Sequence, residues 1–272
     1  MKNIFLMNIK QICVVLVAVF AIALPGSVAV AGTIILEGSD AIGLHSFGGG
    51  GAAAYRDQVW TAIGATDPRT IAIIGDTSAV GTGTHAVSNF ASVAAAGSLT
   101  NYVALYFTAG GGCCAQNDGT ISATGAQSAV ASYLSGGGTV MIEDYIGGSA
   151  WDWAIGTGGT GNSHVAGAYG GAGGSSCSDG ETVTALGLAN GFTQPPTIGC
   201  WTHQAYDATY FGTLGFNQSF FNAGVDYPSG FSSLLSSGST VTVTQATGVP
   251  EPASMAILLV GLVGAGIARR RV

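Results

Sequence analysis

"YLSGGGTVMIEDY", Tyr133–Tyr145, joins a helix end, a glycine turn and a buried strand in one short run. On its upstream side, Ala126, Val130, Tyr133 and Leu134 fall on one stripe at helical spacing. Gly136 to Gly138 then provide the C-terminal stop. Downstream, the run from Thr139 is almost continuously apolar, the pattern of a strand covered on both faces rather than one. Three earlier stretches have the same character: "GTIILEGSD" (Gly32–Asp40), "RTIAIIGDT" (Arg69–Thr77) and "NYVALYFTAGGG" (Asn101–Gly112). The segments between them, "AYRDQVWTAIGA", "THAVSNFASVAAAG" and "ATGAQSAVASYLSGGG", carry apolar residues at helical spacing. Strand and helix in alternation predict βαβ units, hence an α/β fold with a parallel sheet, right-handed crossovers and flanking helices. No internal repeat is present, which argues against a solenoid or propeller.

Beyond Tyr145 the pattern loosens. Residues 147–180 form a Gly-rich insertion with Trp151 and Trp153 as the large side chains early in it. "ETVTALGLANGF" reads as a short helix, and "FSSLLSSGSTVTVTQ" as a helix end followed by a last strand. The four-strand portion resembles flavodoxin-like folds, including the class I glutamine amidotransferase-like superfamily, in which helix, glycine turn and strand recur as in "YLSGGGTVMIEDY". Fold alone does not fix function.

Composition narrows the function classes. The 272 residues include 45 glycines and few charges, with a formal net charge of −7. Lys2, Lys10, Arg269, Arg270 and Arg271 lie at the ends, so the interior keeps Arg56 and Arg69 against thirteen acids. A surface this acidic repels phosphate backbones, which excludes nucleic acid as a partner.

The two ends carry addresses. Lys2 and Lys10 precede an apolar Ile12–Leu24 core, Pro25-Gly26 breaks it, and Ala29-Val30-Ala31 offers a small-x-small cleavage site. Residues 1–31 are thus expected to be a secretory signal, with Gly32 the first mature residue. At the other end, residues 32–245 form the exported domain and 246–252 a linker containing Pro250, Glu251 and Pro252. Residues 253–268 are expected to be a single transmembrane helix, short against the ~20 residues a span usually needs. Residues 269–272, with Arg269, Arg270 and Arg271, form a basic tail held in the cytoplasm by the positive-inside rule. Pro-Glu-Pro, a short apolar helix and a terminal arginine cluster resemble the PEP-CTERM sorting signal. That resemblance implies an exosortase-type sorting enzyme as partner and transient anchoring in the inner membrane. It further implies delivery to the cell surface or extracellular matrix of a Gram-negative, exopolysaccharide-making bacterium.

Candidates for chemistry in the domain are few. Apart from Cys13 in the leader, four cysteines remain: Cys113, Cys114, Cys177 and Cys200. An even number in an exported chain reads first as two disulfides, favouring Cys113 and Cys114 each bonded to one of Cys177 and Cys200. Such bridges would pin the Gly-rich insertion to a strand end. The alternative is a thiol hydrolase of amidotransferase-like fold, with Cys113 or Cys114 as nucleophile, His203 as base and an acid such as Asp207 orienting it. The glycines flank Cys113 on its upstream side only, so the nucleophile turn of that superfamily is not reproduced. Glu143-Asp144 sits where open parallel sheets bind ligands, outside the strands' carboxyl ends, and equally suits ordinary strand-end solvation. Trp151 and Trp153 are candidates for stacking on sugars, which would make exopolysaccharide a partner. The histidines are scattered without ligand spacing, and neither "AQNDGT" nor "CSDGET" fills a calcium loop, so no metal and no cofactor is expected. The leading expectation is a non-catalytic structural or binding domain, with the hydrolase and a polysaccharide-binding module as alternatives.

Overall fold

A computed structural model describes residues 32–39, 41–42, 51–64, 66–75, 82–108, 126–143, 163–167, 182–193, 204–222 and 231–237. In chain order the strands are β1 (Thr33–Glu37), β2 (Ile71–Ile74), β3 (Val87–Phe90), β4 (Ala104–Phe107) and β5 (Thr139–Glu143). They continue with β6 (Val165–Gly167), β7 (Thr182–Val183), β8 (Gln204–Asp207), β9 (Gln218–Asn222) and β10 (Phe231–Ser236). Helices α1 (Gly51–Gly64), α2 (Val93–Ala96), α3 (Ala126–Ser135), α4 (Ala185–Ala189) and α5 (Ala208–Thr213) lie between them.

The four strands expected from sequence are all present, and with β3 they pair in parallel in the order β3-β2-β4-β5-β1. The sheet as a whole is mixed, which corrects the expectation of a purely parallel one. On the far side of β1 the pairing turns antiparallel: β10 pairs β1, β8 and β9, and β6 pairs β8. The reason lies in "FSSLLS", which forms β10 where a helix end was expected. Ser237, the residue after β10, adds to the pairing with β1: its N–H donates to Ile34 O at 2.8 Å, and its Oγ accepts the Ile34 N–H at 2.7 Å. A second correction concerns "THAVSNFASVAAAG". Val87–Phe90 extends alongside β2, and the helix begins only at Val93, where Ser92 Oγ accepts the Ala95 N–H at 3.2 Å.

Helices cover both faces of the parallel half. On one face Ile34, Leu36, Ile74, Leu105, Phe107, Val140 and Ile142 pack under α2, α3 and α5 through Val93, Val130, Leu134 and Phe211. On the other, Ile35, Ile73, Tyr106 and Met141 pack under α1 through Tyr55, Val59 and Trp60. That is why these strands read as unbroken apolar runs: successive side chains point to opposite faces, and both faces are dry. The Ala126, Val130, Tyr133 and Leu134 stripe is buried as its spacing predicted. Trp60, fully buried, meets the Tyr106 ring edge-on with centroids 5.1 Å apart. Complete burial of a side chain of this size contributes about 1.5–3 kcal/mol.

Gly38 marks where the two halves of the sheet meet. Its N–H donates to Ser233 O and its carbonyl accepts from Gln204 N–H, both at 2.9 Å. A side chain there would collide with the Gln204 carbonyl. β8 therefore continues along β10 where β1 leaves off. Among the described residues no helix is long and apolar enough to cross a membrane; residues 253–268 lie outside them.

Candidate functional site

The parallel strands end in a polar row on the face covered by α1. Glu37 and Glu143 stand side by side in register on β1 and β5. Neighbouring strands set them roughly 5 Å apart, with both side chains on one face. Glu37 is 0% and Glu143 1% exposed. The strand-end solvation considered for Glu143 is thus overturned: the carboxylate lies inside, while Asp144 lies outside the described residues.

Two carboxylates so placed repel when both are charged, and low-dielectric surroundings strengthen that repulsion. Hydroxyl donors offset it. Tyr106 donates to Glu37 Oε2 at 2.7 Å, and Ser39 donates to Glu37 Oε1 at 3.0 Å. Ser39 Oγ in turn accepts the Ala41 N–H at 3.3 Å. Burial, then the negative charges of Glu143 and Glu37, hold the Tyr106 hydroxyl well above its ordinary range. Burial, with Glu37 next, does the same for Tyr55. Both tyrosines therefore stay protonated donors throughout the physiological range. Thr108, fully buried after β4, follows Phe107 on the strand beside β5. The row is a hydrogen-bonded internal network at the sheet edge where open α/β proteins usually present ligand groups.

Glu37 escaped the sequence reading, although a signal existed. "TIILE" and "TVMIE" are the same pattern twice, and the structure pairs them residue for residue, Thr33 with Thr139 through Glu37 with Glu143.

Asp207 ends β8 and caps α5: its Oδ1 accepts the N–H groups of Thr209 at 2.9 Å and Tyr210 at 3.2 Å. Its Oδ2 lies 3.5 Å from His164 Nδ1, and the His164 ring stacks flat on Tyr210 with centroids 3.6 Å apart. Among the described residues, the histidine beside Asp207 is His164, from the segment before β6. His203 lies outside the described residues, as do Cys113, Cys114, Cys177, Cys200, Trp151 and Trp153. The sorting residues Pro250, Glu251, Pro252, Arg269, Arg270 and Arg271 lie outside them too. No cluster of three or more His, Cys, Asp or Glu suited to a metal ion occurs among the described residues.

Comparison with known families gives one match: residues 248–272 fit the family model described as the PEP-CTERM protein-sorting motif. The chain accordingly ends in the signal of an exported protein with a membrane-associated C-terminus, processed by an exosortase-type enzyme. That match spans the tail and leaves the α/β domain uncovered. No curated protein and no solved structure matches the chain.

Proposed function

We propose that this chain is a cell-envelope or extracellular-matrix protein whose flavodoxin-like α/β domain performs non-catalytic, structural or binding work after exosortase sorting. Residues 253–268 hold it in the inner membrane until then, and its destination is the surface or matrix of a Gram-negative cell. The observation that carries this reading is the closed Glu37–Glu143 row. Glu37 and Glu143 are inaccessible, and both Glu37 oxygens are engaged by Tyr106 and Ser39. A general acid or base must reach its substrate within hydrogen-bond distance, which a fully enclosed carboxylate does not do. Asp207, the acid of the hydrolase alternative, caps α5 through Oδ1, while its Oδ2 lies beside His164.

Intact mass of the protein isolated from its native envelope, with and without thiol alkylation, tests the proposal. The expected product ends near Pro250–Pro252 and takes up no alkylating reagent, all four cysteines being oxidised. A product still carrying Arg269–Arg271 refutes processing at the motif. A single reactive thiol at Cys113 supports the hydrolase instead.

A further inference from the structure

A chain cleaved after Ala31 has a single primary amine. Lys2 and Lys10 are the only lysines, and both precede Ala31. Export cleavage removes them and creates one new amine, the α-amino group of Gly32. Where that nitrogen sits is therefore a chemical question about the whole exported protein.

In the uncleaved chain the Gly32 amide is buried, and its N–H donates to Leu134 O at 2.8 Å. Leu134 is the penultimate residue of α3, so its carbonyl belongs to the electronegative end of the helix. Gly137, at φ +88°, donates to the same oxygen at 2.9 Å, and Gly136 and Gly138 both donate to Tyr133 O at 3.1 and 3.0 Å. The next residue continues the seat, Thr33 N–H donating to Gly138 O at 3.1 Å. There is no room for a side chain at the first position: a Cβ on Gly32 would collide with the Gly138 and Leu134 carbonyls. Immediately afterwards the chain enters β1, the strand flanked by β5 and β10.

We propose that the Gly32 α-ammonium is a structural group, seated on the C-terminus of α3, and that the mature domain presents no amine to its surroundings. The proposal rests on residues 1–31 being a cleaved export signal. A membrane signal peptidase adds water across the Ala31–Gly32 amide. The C–N bond breaks, the water oxygen goes to the Ala31 carboxylate, and both water protons go to the Gly32 nitrogen, making it an ammonium. The charge so created lies against helix carbonyls, where a cation is favoured. The last residue freed by maturation thereby fixes the start of a central strand. The exposed surface is left inert towards aldehydes and acyl donors that attack amines outside the cell.

The test uses protein purified from its native envelope and an amine-selective acetylating reagent, N-hydroxysuccinimide acetate. Uptake is followed by intact mass and by mapping the N-terminal peptide, in buffer and in guanidinium chloride. Because no lysine remains, at most one acetyl group enters amine positions. The expected result is a terminus at Gly32, one acetyl group in denaturant, and uptake at least about tenfold slower in the folded state, since the nitrogen reacts only on local opening. A terminus at Gly32 that acetylates equally fast in both conditions overturns the seating and leaves export intact. A terminus at any other residue overturns the cleavage reading itself, and the seating with it.

Discussion

Replacing Tyr106 with Phe isolates the contribution of the buried row. The substitution removes one oxygen and leaves the ring free to keep its edge-on contact with Trp60. What is lost is the 2.7 Å hydrogen bond to Glu37 Oε2, a carboxylate with no exposure to water that could replace it. Hydrogen bonds to charged groups contribute about 1.5–3 kcal/mol, the larger values arising when the partner stays buried and under-satisfied. For a domain of this size, each kcal/mol corresponds to roughly 2–4 °C in Tm, so Y106F should melt about 3–12 °C lower. Tyr102→Phe provides the comparison. Its hydroxyl donates to the neutral Ala96 carbonyl at 3.0 Å in a half-buried setting, for which about 0.5–1.5 kcal/mol is expected. Differential scanning calorimetry on the two variants settles the order. The pair Y106F and Glu37→Gln should also be non-additive, the double variant losing less than both singles together, because the two groups share one bond. If Y106F melts no lower than Y102F, Glu37 does not depend on its tyrosine donor and the account of the row is wrong.

Other consequences follow from single positions. Gly38→Ala drives a side chain into the Gln204 carbonyl, a backbone atom that cannot swing aside, and should lower the urea midpoint, whereas Gly212→Ala in α5, where the backbone is ordinary and an added Cβ meets nothing, should not; equal midpoints would contradict the close approach of β1 and β8. Asp207→Ala removes the cap of α5 and should cost about 0.5–2 kcal/mol by chemical denaturation. Alkaline pH should destabilise the domain. Folded Tyr55 and Tyr106 hold their protons more tightly than the ordinary 10.0, and burial pushes Tyr133 up to about 12. Their stabilisation is complete below pH 10 and is lost as pH rises beyond it, so the urea midpoint should fall between pH 10 and pH 12. A flat profile there would show that these hydroxyls ionise as freely in the fold as outside it.

Local pattern made much of this protein readable. The C-terminus carries its meaning in linear order, Pro250-Glu251-Pro252 before an apolar run and three arginines, and residues 248–272 match the sorting motif. Membrane machinery reads such signals in extended or simple helical form, so no tertiary context is needed to see them. The parallel half was equally legible, because strands with both faces covered must be apolar throughout, and Gly136–Gly138 announce the end of α3. Val87–Phe90 and Phe231–Ser236 were misread. Short segments containing serine have little preference of their own, and pairing with β2 in one case and β1 in the other makes them strands. Register is what sequence could not supply. Glu37 and Glu143 lie more than a hundred residues apart along the chain, and only the alignment of β1 with β5 turns two strand-end acids into one buried row. The same holds for Gly32, whose place against Leu134 O follows from β1 entering the sheet beside the glycine turn of α3. Sequence determined that the chain is exported and where its apolar runs lie; tertiary structure decided which ends of those runs meet, because hydrogen-bond registry between distant strands is settled only when the core closes.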